Sequence, residues 1–164
     1  MTNDEIRMTK EDRMTNYRKR TMAETVDPAK DAFWGEADAL DAGELRDEAN
    51  DGKRVFDLEE RTARFGEAII RFAKNIPQNP VNNRLIEQLV GAGTSVGANY
   101  CEADDGVSRK DFKNKIGTCR KEARETKFFL RMVATAEPSL QPEARNLWQE
   151  AKELHLIFSK IWRK

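Results

Sequence analysis

Four stretches of the chain repeat apolar residues every three to four positions, which is the spacing of an amphipathic α-helix. The pattern predicts helices over about residues 56–75, 81–104, 108–135 and 142–162. No stretch has the alternating pattern of a half-buried strand, and the connections between the four stretches are short. The sequence therefore predicts an all-α fold, an antiparallel up-down-up-down four-helix bundle.

Residues that start and stop helices lie where the apolar pattern changes. Asp57 is a candidate N-cap for the first helix, and Ser108 with Asp111 forms a capping box for the third. Pro77 falls in the first connection, and Pro142 fits the first turn of the fourth helix. These signals support the boundaries that the apolar pattern predicts.

The second predicted helix contains three interior glycines, Gly91, Gly93 and Gly97. Each costs roughly 1 kcal/mol relative to alanine in a helix interior, so the positions need a compensating role. Gly93 and Gly97 lie one turn apart on one side of the helix, where they favour close approach of another helix. Flexibility at a functional hinge is the alternative interpretation.

The first 54 residues differ in composition from the rest of the chain. They carry 10 Lys/Arg and 14 Asp/Glu, whereas residues 55–164 carry 19 and 15. Their apolar surface is too small to offset the entropy of ordering about fifty residues. We therefore predict an acidic, mostly disordered N-terminal extension over residues 1–54, followed by a bundle domain over 55–164. Docking of Phe33, Trp34 and Leu40 on a partner or on the basic third helix is the alternative.

Composition also indicates the compartment. Cys101 and Cys119 each lie in a helical pattern, which is typical of reduced intracellular thiols. No apolar run approaches the roughly 20 residues of a membrane span, and the N-terminus has no apolar stretch suited to a signal peptide. We expect a cytoplasmic protein with no membrane contact.

No motif for catalysis or metal binding is evident in the sequence. His155 is the only histidine, and the residue three positions before it is Lys152, not the glutamate of a carboxylate-bundle metal site. The two separated cysteines do not complete a zinc site. We expect no catalytic residues, no cofactor, no metal and no small-molecule substrate.

The third predicted helix carries a strip of six basic residues, which we name the basic flank. At 100° per residue they fall within about 40° of one line with no acid among them, roughly 100° from the apolar face. Its members are Arg109, Lys113, Arg120, Arg124, Lys127 and Arg131. From Lys113 to Arg131 the strip spans about 27 Å at 1.5 Å per residue, long enough to follow several phosphates of RNA.

Two other interpretations of the basic flank stay open. Acids on neighbouring helices can pair with it inside one chain, and the same surface can be a contact between subunits. The acids available for pairing are Glu59, Glu60, Glu67, Glu150 and Glu153. Phe128 projects beside the flank, where burial in an oligomer interface is favoured over stacking on a base.

Several short motifs recur in a family-specific order along the predicted bundle. They are Asp57-Leu-Glu-Glu-Arg-Thr62, Gly93-Thr-Ser-Val-Gly-Ala-Asn-Tyr100, Glu102-Ala103, Ser108, Asp111-Phe112, Lys115-Ile116 and Lys121-Glu-Ala-Arg-Glu-Thr126. Together they resemble the bacterial four helix bundle protein family, whose founding members are encoded in intervening sequences of 23S ribosomal RNA genes. The resemblance covers about residues 55–162 and leaves the N-terminal extension uncovered.

The resemblance implies a small cytosolic helical protein, often a ring-shaped homopentamer, with no established enzymatic activity. A related accessory protein of diversity-generating retroelements is a basic pentamer that works with a reverse transcriptase and nucleic acid. On this basis we expect Gly93, Gly97 and Phe128 in an oligomer interface, with Trp148 and Trp162 as further aromatics for association.

Two functional hypotheses follow. The first is a non-enzymatic, self-associating bundle that binds RNA or a nucleoprotein through the basic flank. The alternative is a protein-interaction scaffold or mobile-element accessory protein with no direct nucleic-acid contact.

Overall fold

A computed structural model describes Trp34 and residues 58–164 of the chain. The described residues form four α-helices and no strand. Their bounds are α1 Leu58–Lys74, α2 Pro80–Asp104, α3 Arg109–Ala136 and α4 Gln141–Arg163, with a short 3-10 turn, Pro138–Leu140, between α3 and α4. The prediction of an all-α four-helix bundle is confirmed, and the helix ends lie within two residues of those expected.

The predicted N-terminal extension falls almost wholly outside the described residues. Trp34 is the single described residue before Leu58; it is helical and 7% exposed. The expected disorder over residues 1–54, the boundary at 54/55 and the proposed N-cap at Asp57 all stay predictions.

Contacts between helix ends show that neighbouring helices run antiparallel. The Asn82 side chain in the first turn of α2 donates to Glu137 Oε1, just beyond the end of α3, at 2.6 Å. At the opposite end of the bundle, Arg109 in the first turn of α3 donates to the main-chain carbonyl of Lys164, which follows α4, at 3.2 Å. The chain therefore reverses its direction between α2 and α3 and between α3 and α4, as short connections require.

Two of the helix starts are capped as helix physics requires. The Asn79 side chain accepts hydrogen bonds from the amides of Val81 and Asn82 at 3.0 and 2.9 Å, and so satisfies orphan donors of α2. The Ser108 hydroxyl accepts from the Asp111 amide at 3.1 Å at the start of α3. The Ser108 half of the predicted capping box is confirmed, whereas the Asp111 carboxylate accepts from the Ser108 hydroxyl instead of the Ser108 main-chain amide.

All four helices contribute apolar side chains to one core. The largest fully buried apolar side chains are Phe72, Ile69, Leu89, Val96, Ile116, Leu130, Val133, Trp148, Leu154 and Phe158. Trp148 is only 1% exposed, which corrects its expected place among the aromatics available for association. Ala144 and Ala151, one turn to either side, are fully buried and leave room for its ring. Leu147, the neighbour of Trp148 along the chain, is half-buried.

The glycines of α2 mark its contact with α1. A Cβ atom at Gly93 would lie 2.8 Å from Cγ2 of Ile69, and one at Gly97 would lie 3.4 Å from the Thr62 carbonyl oxygen. The predicted close approach of another helix is therefore found, and that helix is α1 of the same chain. Gly93 is buried in the α1–α2 contact, whereas Gly97 is half-buried beside it, and its expected place in an oligomer interface stays a prediction.

Two salt bridges of one partly buried arginine join α1 to α4. The Arg61 guanidinium donates from Nε to Glu150 Oε1 at 2.7 Å and from Nη2 to Glu153 Oε2 at 2.5 Å. The hydrogen bond with Glu150 is the largest cause that raises the pKa of Arg61 above its ordinary value. Both glutamates thus face α1.

Candidate nucleic-acid interface

The basic flank lies on the side of α3 that faces α4. Arg109, Lys113 and Arg124 are exposed, whereas Arg120 and Lys127 are half-buried along the groove between the two helices. Arg131 is also half-buried. The α3 pattern therefore produces a basic surface that begins at one end of the bundle and continues along most of α3.

Two tryptophans of α4 lie beneath the basic flank. The Arg120 guanidinium sits 4.4 Å from the centroid of the Trp162 ring, and Lys113 Nζ lies 5.5 Å from the same ring. Lys127 Nζ lies 4.5 Å from the ring of Trp148. A cation over an aromatic face is attracted by the ring quadrupole and keeps its full positive charge. The rings therefore fix the cations in place without neutralising them.

Four of the five acids expected to pair with the basic flank form ion pairs with other residues, and Glu59 forms no ion pair with a described residue. Glu150 and Glu153 pair with Arg61, as described above. On α1, Glu60 pairs with Arg64 at 2.6 Å and Glu67 pairs with Arg71 at 3.4 Å. Among the described residues, no carboxylate forms an ion pair with the first four members of the flank, Arg109, Lys113, Arg120 and Arg124. Within residues 58–164, that part of the flank therefore does not pair with an acid of the same chain.

A groove of about 350 Å³ opens between α3 and α4 beside the flank. Its lining consists of Arg120, Lys121, Arg124, His155 and Ser159. His155 Nδ1 lies 3.0 Å from the carbonyl oxygen of Arg120. Because a carbonyl only accepts hydrogen bonds, Nδ1 carries the proton and donates it. The lining contains three cations and no acid.

The His155 imidazole is held in its neutral form in this groove. Burial is the main cause that lowers its pKa below the ordinary value, and the charges of Lys127, Arg120 and Arg124 lower the pKa further. The hydrogen bond to the Arg120 carbonyl opposes this shift. The lowered pKa of His155 therefore reflects burial first, and the nearby cations of α3 add to it.

Phe128 lies on the surface next to the basic flank, with 55% of its area exposed. Its ring meets that of Phe129 edge-on, with centroids 5.3 Å apart. Both rings line a second, open groove of about 440 Å³, together with Lys121, Arg124 and Glu125. Of the three residues expected in an oligomer interface, Phe128 is thus the one with a large exposed apolar side chain.

The described residues offer no other site with recognisable chemistry. Within residues 58–164, no three His, Cys, Asp or Glu side chains are grouped so that they could hold a metal ion. Cys119 is fully buried, and burial raises the pKa of its thiol to about 12, so the nucleophilic thiolate is disfavoured. None of the four helices is both long and apolar enough to cross a membrane.

Sequence reasoning locates the cations but misses their neighbours on α4. Trp148 lies buried beneath the flank, and His155, Ser159 and Trp162 lie beside it. The apolar pattern gives no reason to expect these four residues there. A usable signal exists, because α3 and α4 run antiparallel from the short turn at Pro138–Leu140. Residues at nearly equal chain distances on either side of that turn, such as Lys127 and Trp148, must therefore lie side by side.

Comparisons with known proteins agree on the family of this bundle. The sequence pattern of the 23S rRNA-intervening sequence protein family matches residues 56–160. A crystal structure from Bacteroides thetaiotaomicron, described as a protein with unknown function from the S23 ribosomal protein family, is similar with a TM-score of 0.58 and 26% sequence identity. That likeness covers 65% of this chain and 99% of the other. No curated protein matches the chain. Because the family pattern covers more than half of its length, the chain belongs to the 23S rRNA-intervening sequence protein family.

Proposed function

We propose that this protein is a non-enzymatic, self-associating bundle of the cytoplasm that binds RNA through the basic flank of α3. One observation carries the proposal, namely how two cations of the basic flank, Arg120 and Lys113, are held. Arg120 and Lys113 lie over an indole ring, while the nearest candidate acids on α4 are bound by Arg61. Positive charge held in place without a counter-charge is what a phosphate backbone recognises.

The shape of the surface supports a single-stranded or flexible RNA as the ligand. Phosphates along one strand are spaced closely enough for several to meet the flank, and the exposed Phe128 ring offers a face for stacking. Sequence readout by base edges is not part of the proposal.

Direct binding tests this function. A short fluorescein-labelled single-stranded RNA should bind the purified full chain at low salt, measured by fluorescence anisotropy. Affinity should fall steeply between about 50 and 200 mM salt, since about 0.7 counterions are released per phosphate contact on single strands. Absence of RNA binding at the lower salt concentration would overturn the proposal. Salt-insensitive capture of one protein partner would favour the alternative, a protein-interaction scaffold.

Self-association through Phe128 is the second part of the proposal. An exposed phenylalanine beside a half-buried one, at the mouth of an open groove, forms an apolar patch with the aromatic composition that is enriched at association sites. The family resemblance suggests a ring of five chains.

We expect Phe128→Glu to lower the mass of the assembly to that of a smaller species, because a buried unpaired carboxylate opposes the contact. Light scattering on the purified variant measures the mass, and circular dichroism checks the helix content. Val81→Glu is the matched control, since Val81 is 65% exposed at the start of α2. A wild-type mass equal to one chain, or equal masses for both variants, would exclude Phe128 as an interface residue.

A further inference from the structure

The groove between α3 and α4 contains a histidine and a serine beside its cations, which general attraction of RNA does not require. Its lining consists of Arg120, Lys121, Arg124, His155 and Ser159. Arg124 makes no ion pair or side-chain hydrogen bond with any described residue. Ser159 is buried at 8% exposure, and within the part of the chain that the structure describes its hydroxyl has no hydrogen-bond partner. Donors that converge on one concave space, with no acidic side chain among them, suit a small anion.

The groove is also held in a fixed geometry. The Trp162 ring supports the Arg120 guanidinium from one side at 4.4 Å. The His155 ring is tied to the main chain of α3 through Nδ1 and the Arg120 carbonyl. Preorganised donors lose little conformational entropy when a ligand arrives, which distinguishes this point from the freely moving lysines of a surface.

The His155 tautomer adds a chemical consequence. Since Nδ1 already donates to the Arg120 carbonyl, the second ring nitrogen, Nε2, is an acceptor while the ring is neutral. Nε2 becomes a donor only when His155 takes up a proton. The cations that oppose this proton are Arg120, Arg124 and Lys127 on α3, and an anion in the groove would offset their charge.

We propose that the groove between α3 and α4 is a binding site for one phosphate group, in which Arg120 and Arg124 pair with the phosphate oxygens, Ser159 donates a hydrogen bond, and His155 takes up a proton at Nε2 as the phosphate binds. The proposal rests on the proposed RNA-binding function, because RNA is the source of the phosphate. The group is either an internal phosphodiester or a 5′-terminal phosphate, and both share the tetrahedral oxyanion that the donors recognise.

The single histidine makes the proposal directly measurable. The Cε1 proton of His155 gives the one signal of its kind in the proton NMR spectrum of the full chain, because the sequence has no other histidine. We expect the midpoint of its pH titration to move upward when sodium sulfate is added, compared with sodium chloride at equal ionic strength. Sulfate is used because it is a tetrahedral oxyanion that does not titrate near neutral pH. The sign follows from charge, since an anion stabilises the protonated ring.

Two RNA ligands of one sequence then identify the source of the phosphate. One is a short single strand with a 5′-hydroxyl and the other carries a 5′-phosphate. If both move the midpoint upward alike, the groove takes an internal phosphodiester. If only the phosphorylated strand does, the groove takes the terminal phosphate.

Substitutions in the groove show whether it is the site at which sulfate moves the His155 midpoint. Ser159→Ala and Arg124→Gln should each reduce the sulfate-induced movement of the midpoint at least about threefold, while Arg109→Gln should leave it unchanged. Arg109→Gln removes one charge from the same flank and lies outside the groove lining. Unchanged circular dichroism in the three proteins shows that each is folded.

The outcomes separate this proposal from the function on which it rests. RNA binding with no movement of the His155 midpoint, or equal responses from all three variants, overturns the phosphate site and leaves the basic flank as a diffuse RNA surface. A sulfate response that the groove variants remove, in a chain that does not bind RNA, supports the site and overturns the RNA-binding function.

Discussion

Replacement of Arg120, Arg124 and Arg131 by glutamate is expected to abolish retention of RNA by this protein. Each arginine lies on the basic flank, and each reversal removes a charge-assisted contact and introduces repulsion. Such a contact is worth roughly 1.5 kcal/mol or more, so three of them correspond to a loss of about 1,000-fold or more in affinity. Fluorescence anisotropy with a labelled single-stranded RNA at low salt measures the loss.

A matched triple variant distinguishes an effect of where the charges lie from an effect of the net charge. Arg64, Arg71 and Arg84 lie on α1 and α2, each paired with a glutamate three or four residues away. Changing these three to glutamate alters the net charge by the same amount and should reduce RNA binding much less. Equal losses from the two triple variants would mean that net charge, and not the flank, governs binding. If the first triple change instead lowers the mass of the assembly, the flank is a subunit contact.

Addition of one methyl group at Gly93 is expected to destabilise the bundle more than any other small change in α2. The new Cβ would lie 2.8 and 2.9 Å from the two γ-carbons of Ile69, a fully buried β-branched side chain with little freedom to move. Overpacking of this kind costs about 1–3 kcal/mol, which exceeds the gain of roughly 1 kcal/mol in helix propensity. Urea unfolding followed by circular dichroism should show a lower midpoint for Gly93→Ala.

Gly91 provides the control, because it lies in the same helix and a Cβ atom added there would meet nothing within 4 Å. Gly91→Ala should raise the urea midpoint by the equivalent of about 0.5–1 kcal/mol, since alanine loses less backbone entropy than glycine on folding. Stabilisation of similar size by both alanines would show that α1 does not approach Gly93 as closely as the structure has it. A lower midpoint for both would point to a flexible α2, the hinge interpretation.

The helices of this bundle can be predicted because apolar spacing, caps and breakers agree at each boundary. Ser108, for example, starts α3 both by its capping box and by the onset of the apolar stripe. The glycines of α2 also predict a close helix contact, because such a contact is the usual compensation for the free energy that glycine costs inside a helix. Periodicity within α2 does not specify which helix approaches. The expectation of a subunit contact at Gly93 therefore meets a different arrangement, in which α1 of the same chain occupies that surface.

The candidate site is predictable only in part, for a geometric reason. Helical periodicity aligns residues of one helix, so the basic flank of α3 emerges from the sequence alone. The groove needs a second helix at a defined rotation, and rotation depends on how side chains fill the core. Trp148 turns inward between Ala144 and Ala151, which also brings His155 and Ser159 towards α3. No local pattern specifies that choice.

The salt dependence of RNA binding, compared between the wild type and an Arg120→Gln/Arg124→Gln variant, tests the central claim most directly. If both arginines contact phosphates, the slope of log affinity against log salt should become shallower by about 1.4, at roughly 0.7 per phosphate contact on a single strand. Affinity at low salt should fall with it. Parallel salt plots for the two proteins, whatever their absolute affinities, would show that these arginines do not contact the RNA backbone and would contradict the account.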